Sequence, residues 1–117
     1  LGGRSLARDL SAKHALLDAV RALHPDAALT TNPWIAQTLG ALWLEVPVLR
    51  PEGQADLPAA LAALRAEGRV RIVVVDGGPA PPGLPVLALE ALAGPREGAS
   101  AVGDYRLESW RLGVTAP

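Results

Sequence analysis

Cysteine, methionine and phenylalanine are absent from this chain of 117 residues, and its aromatic side chains are three tryptophans and one tyrosine. Without cysteine the protein forms no disulfide, no thiolate nucleophile and no cysteine-ligated zinc site. Without methionine the chain does not begin at its own initiator, and Leu1-Gly2-Gly3 lacks the charged and apolar regions of a signal peptide. We therefore expect a fragment or a processed product.

Charge of one sign is also missing, because eleven Lys and Arg balance twelve Asp and Glu for a formal net charge of -1. The charges are spread along the chain, so the sequence predicts no nucleic-acid partner. No run approaches the ~18 consecutive apolar residues of a membrane helix. Lys13 is the one lysine beside abundant Arg, Ala, Leu, Gly and Pro, which fits a GC-rich genome or a thermophile.

What is present is an alternation of short helix and strand patterns. Leucines and valines at helical spacing predict a leading helix within residues 1–23, from Ser5 to Leu23. The later segments predict strands at 27–31, 46–50 and 70–75, helices from Asn32-Pro33 and over 57–67, and a closing hairpin of 100–102 and 105–112. Residues 1–117 thus form one α/β domain, a small three-layer Rossmann-like βαβαβ unit with a leading helix and a C-terminal antiparallel hairpin on the sheet edge.

Local signals refine this prediction. Asn32 and Asp56 are expected to cap the helices that follow them, and Gly68 is expected to end one. The apolar run at 70–75 is typical of a central strand covered on both faces. Residues 77–83 are rich in Pro and Gly and predict an exposed loop, 84–93 predict a strand or a short helix, and 92–99 show no pattern of regular structure.

Polar side chains follow each predicted parallel strand, where open α/β sheets usually bind ligands. Thr30, Thr31 and Asn32 end the first strand, Arg50 the second and Asp76 the third. Thr and Asn at a helix start can hold an anion, and Arg50 can pair with a carboxylate or phosphate. The simpler interpretation is that Asn32 caps a helix, Asp76 ends a strand and Arg50 lies in water.

Tryptophan supplies the other candidates. Trp34 and Trp43 are nine residues apart in the predicted helix, so one is expected in the core and the other outside. An outward indole of Trp34 or Trp110 can stack on a sugar ring or lie at a lipid headgroup boundary, whereas a chain without Phe can use Trp to fill its core. The ligand-binding candidates are therefore Thr31, Asn32, Trp34, Arg50 and Asp76.

Enzyme signatures are missing. There is no G-x-G-x-x-G or Walker-type loop for a nucleotide. Gly98 to Val102 lacks the second glycine of a nucleophile elbow, and no histidine follows His24 to serve such a serine. His14 and His24 alone are too few for a metal site. The sequence predicts no catalytic residue, no metal and no cofactor.

Five ordered segments carry a resemblance to a known family: His24 through Trp34, Leu44 through Arg50, Asp56-Leu57-Pro58 through Gly68, Arg71 through Asp76, and Asp104 through Leu112. Together they resemble the soluble carboxyl-terminal domain of polytopic bacterial glycosyltransferases of the protein mannosyltransferase and aminoarabinose transferase type. The resemblance covers residues 24 to 112 and rests on pattern rather than on invariant chemistry. Residues 1–23 would then connect the domain to a preceding membrane part.

The resemblance implies a non-catalytic accessory domain on the extracytoplasmic face of the bacterial cell membrane. Its implied partners are the membrane part of its own parent chain and a glycan or lipid-linked sugar. The catalytic acids of such enzymes lie in the membrane part, so no catalytic residue is carried over.

Two alternatives remain open. In the first, the chain is a protein–protein interaction module that pairs with another protein or with a second copy of itself. The pairing would use a sheet edge, either at Val46-Pro47-Val48 or at the terminal hairpin. In the second, the chain is a small-ligand-binding or degenerate enzyme domain that uses Arg50 and Asp76 at the strand ends. Without the glycosyltransferase resemblance, a cytoplasmic location is expected.

Overall fold

The computed structural model describes residues 13–41, 45–51, 55–77, 89 and 96–112. These residues form a mixed α/β fold, as predicted, with three helices and one five-stranded sheet. In chain order the elements are α1 (13–22), β1 (Ala27–Leu29), α2 (Pro33–Ala41), β2 (Val48–Leu49), α3 (Leu57–Ala66), β3 (Arg71–Gly77), β4 (Arg96–Val102) and β5 (Tyr105–Arg111).

The strand order in the sheet is β2-β1-β3-β5-β4. β1 runs parallel to both β2 and β3, so these three strands share one carboxyl edge. β5 is antiparallel to β3 and to β4, with Val75 opposite Leu107 and Ala101 opposite Arg106. The predicted central place of β3 and the predicted hairpin on the sheet edge are both confirmed.

Two apolar layers cover the sheet. On one face, side chains of α1 and α2 pack on alternate strand residues: Leu16, Leu17, Val20, Ile35 and Leu39 against Ala28, Val73, Val75 and Leu107. On the other face, α3 packs on the remaining ones: Leu57, Leu61 and Leu64 against Ala27, Leu29, Ile72, Val74 and Trp110. The period-two alternation of β1 and β3 thus distributes their side chains between two buried layers. This is the three-layer arrangement that the sequence predicts.

The helix ends show which capping signals operate. Asn32 caps α2, because the Trp34 N–H donates to Asn32 Oδ1 at 2.9 Å. Asp56 was expected to cap α3 but makes no side-chain capping bond; its backbone oxygen accepts from Ala60 instead. Gly68 ends α3 with φ +75, and the N–H groups of Gly68 and Arg69 donate to Arg65 and Leu64 carbonyls. This is a Schellman motif, which glycine favours.

A partly exposed hydrogen-bonded junction joins β1 to β3 at their amino ends. Asp26 Oδ2 accepts from the backbone N–H groups of Val70 and Arg71, each at 3.0 Å. The Asp26 N–H donates to Arg71 O at 2.7 Å, and Arg69 Nη1 donates to Asp26 O at 2.9 Å. Asp26 therefore fixes the start of the central strand.

Some predicted bounds change. β1 and β2 are shorter than predicted, and β4 begins at Arg96 rather than at Ser100, so part of the segment predicted to lack structure is a strand. The predictions for residues 1–12, 78–88 and 90–95, and for Trp43, lie outside the described residues. Within the described part, no helix is long and apolar enough to cross a membrane.

Candidate functional site

All five predicted site residues lie at one end of the sheet, beyond or at the carboxyl ends of the three parallel strands. Thr31, Asn32 and Trp34 follow β1, Arg50 follows β2, and Asp76 is the penultimate residue of β3. β1 lies between β2 and β3 in the sheet. The connection after β1 leads to β2 on one side of it, and the connection after β2 leads to β3 on its other side. A crevice outside the strand ends is expected where neighbouring connections diverge in this way.

Four polar side chains are buried at this edge, although polar side chains usually remain exposed. They are Thr30, Thr31, Asn32 and Asp76, with exposed fractions of 0%, 5%, 3% and 8%. Since each buried polar group needs a hydrogen-bond partner, the bonds of each one decide whether it has a structural or a ligand-binding role.

Asn32 is held by the fold itself. Its N–H donates to Thr30 Oγ1 at 3.1 Å, and its Nδ2 donates to Gly77 O at 3.3 Å. Its Oδ1 caps α2, and its backbone oxygen accepts from Ala36 at 3.0 Å. Asn32 therefore ties the end of β1 to the end of β3 and positions α2, while Thr30 supports it.

Asp76 differs from Asn32, because one of its oxygens is unsatisfied. Oδ2 is buried and has no hydrogen-bond partner among the described residues. Asp76 lies opposite Arg106 of β5, and the alternation of β3 places it on the α3 face with Ile72 and Val74. Leu29 pairs with Val74, and continuing this register by two residues brings Thr31 level with Asp76.

The electrostatics of Asp76 reflect this position. Burial of the carboxyl raises the pKa of Asp76 above its usual value. The Arg106 guanidinium lowers this pKa in part, and the Glu108 carboxylate raises it further. None of the ion pairs found between described residues includes Asp76. The fold thus holds a carboxyl group that is both desolvated and incompletely bonded.

Trp34 and Trp110 differ strongly in solvent exposure. Trp34, in the first turn of α2, has 59% of its surface exposed and is the outward indole that the sequence predicts. Trp110 is 4% exposed and packs in the α3 layer, so its interpretation as an outward stacking residue is wrong and the core-filling alternative is confirmed. A β-strand side chain opposite Ile72 faces α3, and this explains its burial.

Arg50 is not brought next to Asp76. It is exposed and follows β2, which is separated from β3 by β1. The cation that faces Asp76 is Arg106, which is not among the predicted site residues. Only the pairing of β5 with β3 brings it there.

The opposite edge of the sheet holds a separate open cleft of about 570 Å³. It is lined by residues near the amino ends of β1 and β2, namely Arg21, His24, Pro25, Glu45 and Val46. Arg21 and Glu45 form a two-bond ion pair across it, at 2.6 Å and 3.3 Å, with both side chains substantially exposed. We favour the carboxyl edge as the site, because the cleft contains no buried unpaired group among these residues.

No cluster of three or more His, Cys, Asp or Glu in the described ranges is arranged to hold a metal ion. The carboxyl edge combines buried polar groups that bond within the fold with one desolvated carboxyl group and an exposed indole. Comparison of the chain with protein-family models, with curated proteins and with solved structures finds no match.

Proposed function

We propose that this chain is a non-catalytic accessory domain of a membrane glycosyltransferase-like protein, and that it contacts a glycan or a lipid-linked sugar at the carboxyl edge of its sheet. The class of parent protein comes from the resemblance of residues 24 to 112. The location that we propose for the contact is supported by the placement of the polar residues in the structure. The observation that carries the proposal is the gathering of four buried polar side chains at the ends of β1 and β3.

The chemistry of this edge suits a hydroxyl-rich ligand. Asp76 has a buried oxygen without a hydrogen-bond partner among the described residues, and Trp34 has an exposed indole close in sequence to the capping residue Asn32. Sugar rings combine hydroxyl donors with C–H faces that pack on aromatic rings. A formal net charge of -1 for the chain supplies no general attraction for polyanions.

The test is a titration of the chain with neutral oligosaccharides, followed by backbone amide NMR. We expect saturable shifts at the amides of Thr31, Asn32, Trp34 and Gly77. Trp34→Ala should weaken binding by about tenfold, because loss of an aromatic contact of about 1 kcal/mol or more changes affinity on that scale.

The matched control is Val70→Ala. Val70 is also an exposed large apolar residue, at 38%, but it precedes β3 at the opposite edge of the sheet. This variant should bind as the parent chain does. If no amide of the carboxyl edge responds to any oligosaccharide, the proposal is wrong.

A second candidate function, a protein–protein interaction module, is favoured by β4. This strand lies at the edge of the sheet, and residues 96–101 are all exposed. Arg96 and Glu97 form ion pairs with Glu108 and Arg111 of the neighbouring strand. If β4 pairs with a second copy of the chain, sedimentation should show a concentration-dependent dimer, and Ser100→Lys should abolish it, since charge on an edge opposes pairing.

A further inference from the structure

One polar group at the carboxyl edge calls for an explanation that the fold does not supply. The side chain of Asp76 is more than nine-tenths buried, and its Oδ2 has no hydrogen-bond partner in the described ranges. An unpaired buried acceptor costs on the order of 1–3 kcal/mol, and more when it is charged. Such groups are rare in native proteins, and ligand-binding sites are one place where they persist.

The neighbours of Asp76 restrict what can satisfy it. Arg106 lies directly opposite across the β3–β5 pair, a position at which side chains approach within about 5.5 Å at Cβ. Glu108 lies one step further along the same face and is bonded to Arg96 at 2.9 Å. Two charges act on Asp76, those of Arg106 and Glu108. Of these two, Arg106 is the one that forms no ion pair among the described residues.

Charged ligands fit this arrangement poorly. A cation attracted by Asp76 is repelled by Arg106, and an ammonium group needs three acceptors. Two other acceptors at the ends of these strands, Asn32 Oδ1 and Gly77 O, each already accept one bond, from the Trp34 N–H and from Asn32 Nδ2. An anion would be drawn to Arg106 but repelled by Asp76.

A neutral group that both donates and accepts fits both partners. A hydroxyl, or a primary carboxamide, can donate to the Asp76 carboxylate while it accepts from the Arg106 guanidinium. We propose that Asp76 and Arg106 form the anchor of the site and select an uncharged donor–acceptor group of the ligand. This inference rests on the proposed function in taking the carboxyl edge as the ligand-binding surface, and it adds the anchoring residues and their charge selectivity.

The experiment uses four small probes of different chemistry, namely ethylene glycol, acetamide, methylammonium and acetate. Amide NMR of the chain should show saturable shifts at Asp76 and Arg106 with the two neutral probes and weaker ones with the two ions. Comparison of ethylene glycol with acetamide distinguishes a hydroxyl from a carboxamide as the preferred group. Stronger shifts with methylammonium than with the neutral probes would overturn the inference.

Substitutions at Asp76 and Arg106 form the second part of this experiment. Asp76→Leu replaces the acceptor by an apolar side chain, and we expect it to weaken the neutral probes by about tenfold or more. Asp76→Asn keeps a weaker acceptor in place, should weaken them about threefold to tenfold, and answers the question if the leucine variant does not fold. Arg106→Gln should weaken the neutral probes and strengthen methylammonium. Asp18→Asn, an exposed carboxylate of α1, is the matched control and should change nothing.

The two proposals fail separately. Oligosaccharides that still bind the carboxyl edge of Asp76→Leu with unchanged affinity would overturn the anchor and leave the proposed function intact. Neutral probes that bind at Asp76 in the absence of any oligosaccharide binding would support the anchor and contradict the proposed function.

Discussion

Individual residues at the carboxyl edge show how backbone geometry and chemistry are combined. Gly77 ends β3 with φ +88, and its carbonyl accepts from Asn32. A Cβ at this position would overlap the backbone oxygen of Asp104 in the β4–β5 turn. The glycine therefore allows the hairpin turn to lie directly against the end of the central strand.

Gly77→Ala should be strongly destabilising, by about 2 kcal/mol or more, because a left-handed φ and a backbone overlap act together. Chemical denaturation measures the free energy of unfolding. Gly40→Ala is the control, since Gly40 lies in α2 with open space around it, and there alanine should stabilise by up to about 1 kcal/mol. Equal effects of the two substitutions would contradict this account of Gly77.

Asp76 also predicts a pH dependence. Its folded-state pKa is raised, so the folded state takes up a proton more readily than the unfolded state does. The charged form therefore destabilises the fold at neutral pH, and this loss disappears as the pH falls below the unfolded-state pKa of the carboxyl group.

Asp76→Asn removes the titrating group at similar size. We expect it to be more stable than the parent chain at neutral pH, by about 1 kcal/mol, and to lose this advantage at about pH 4. Denaturation of both proteins at the two pH values measures the difference, which cancels the titration of other carboxylates. A stability difference that is independent of pH would count against the desolvated state of Asp76.

At the scale of elements, a few side chains connect segments that are distant in the sequence. Asn32 joins the ends of β1 and β3 and caps α2, while Asp26 joins their beginnings. β1 has only three residues and therefore few backbone bonds to its neighbours. The side-chain bonds of the residues that flank it are thus important for holding it beside β3. Both residues lie outside regular structure, beside β1, where their side chains reach backbone groups of the distant strand β3.

Asp26→Ala should destabilise the chain by about 2 kcal/mol, because two N–H groups at the start of β3 lose a charged acceptor. Thermal unfolding followed by circular dichroism provides the measurement. Asp18→Ala, on the exposed surface of α1, should stay within about 0.5 kcal/mol of the parent. If Asp26→Ala were equally neutral, water would be an adequate substitute for the Asp26 carboxylate.

For the whole molecule, the main stabilising feature is the burial of β1 and β3 between two separate apolar layers. Leu39 of α2 and Leu61 of α3 are both fully buried, on opposite faces. Burial of a leucine side chain stabilises a fold by a few kcal/mol, which is a large part of the total stability of a small domain.

Leu39→Ala and Leu61→Ala should each cost about 2–5 kcal/mol. Because the two sites share no packing partner, their effects should add within about 0.5 kcal/mol in the double variant. Denaturation of the two single variants and the double variant tests this. A coupling well above that figure would mean that the two layers are not independent.

Most of the local structure follows from short-range features of the sequence. Helical spacing of leucines, the Asn32-Pro33 start, the Gly68 stop and the run at 70–75 are short-range signals, because each depends on neighbouring backbone geometry. They predicted the α/β class and the central strand correctly, whereas the outward position of Trp34 was one of two alternatives that they left open. They failed at Asp56, where a residue with good capping propensity makes no capping bond.

Which distant residues come into contact depends on how the strands pair. Strand order and register bring Arg106, rather than Arg50, opposite Asp76, and they bury Trp110 under α3. The burial of Asp76 also depends on layers contributed by distant segments, and so does the unsatisfied state of its Oδ2. Pairing of strands far apart in the chain depends on the total buried area and not on local propensity, so no window of sequence contains it.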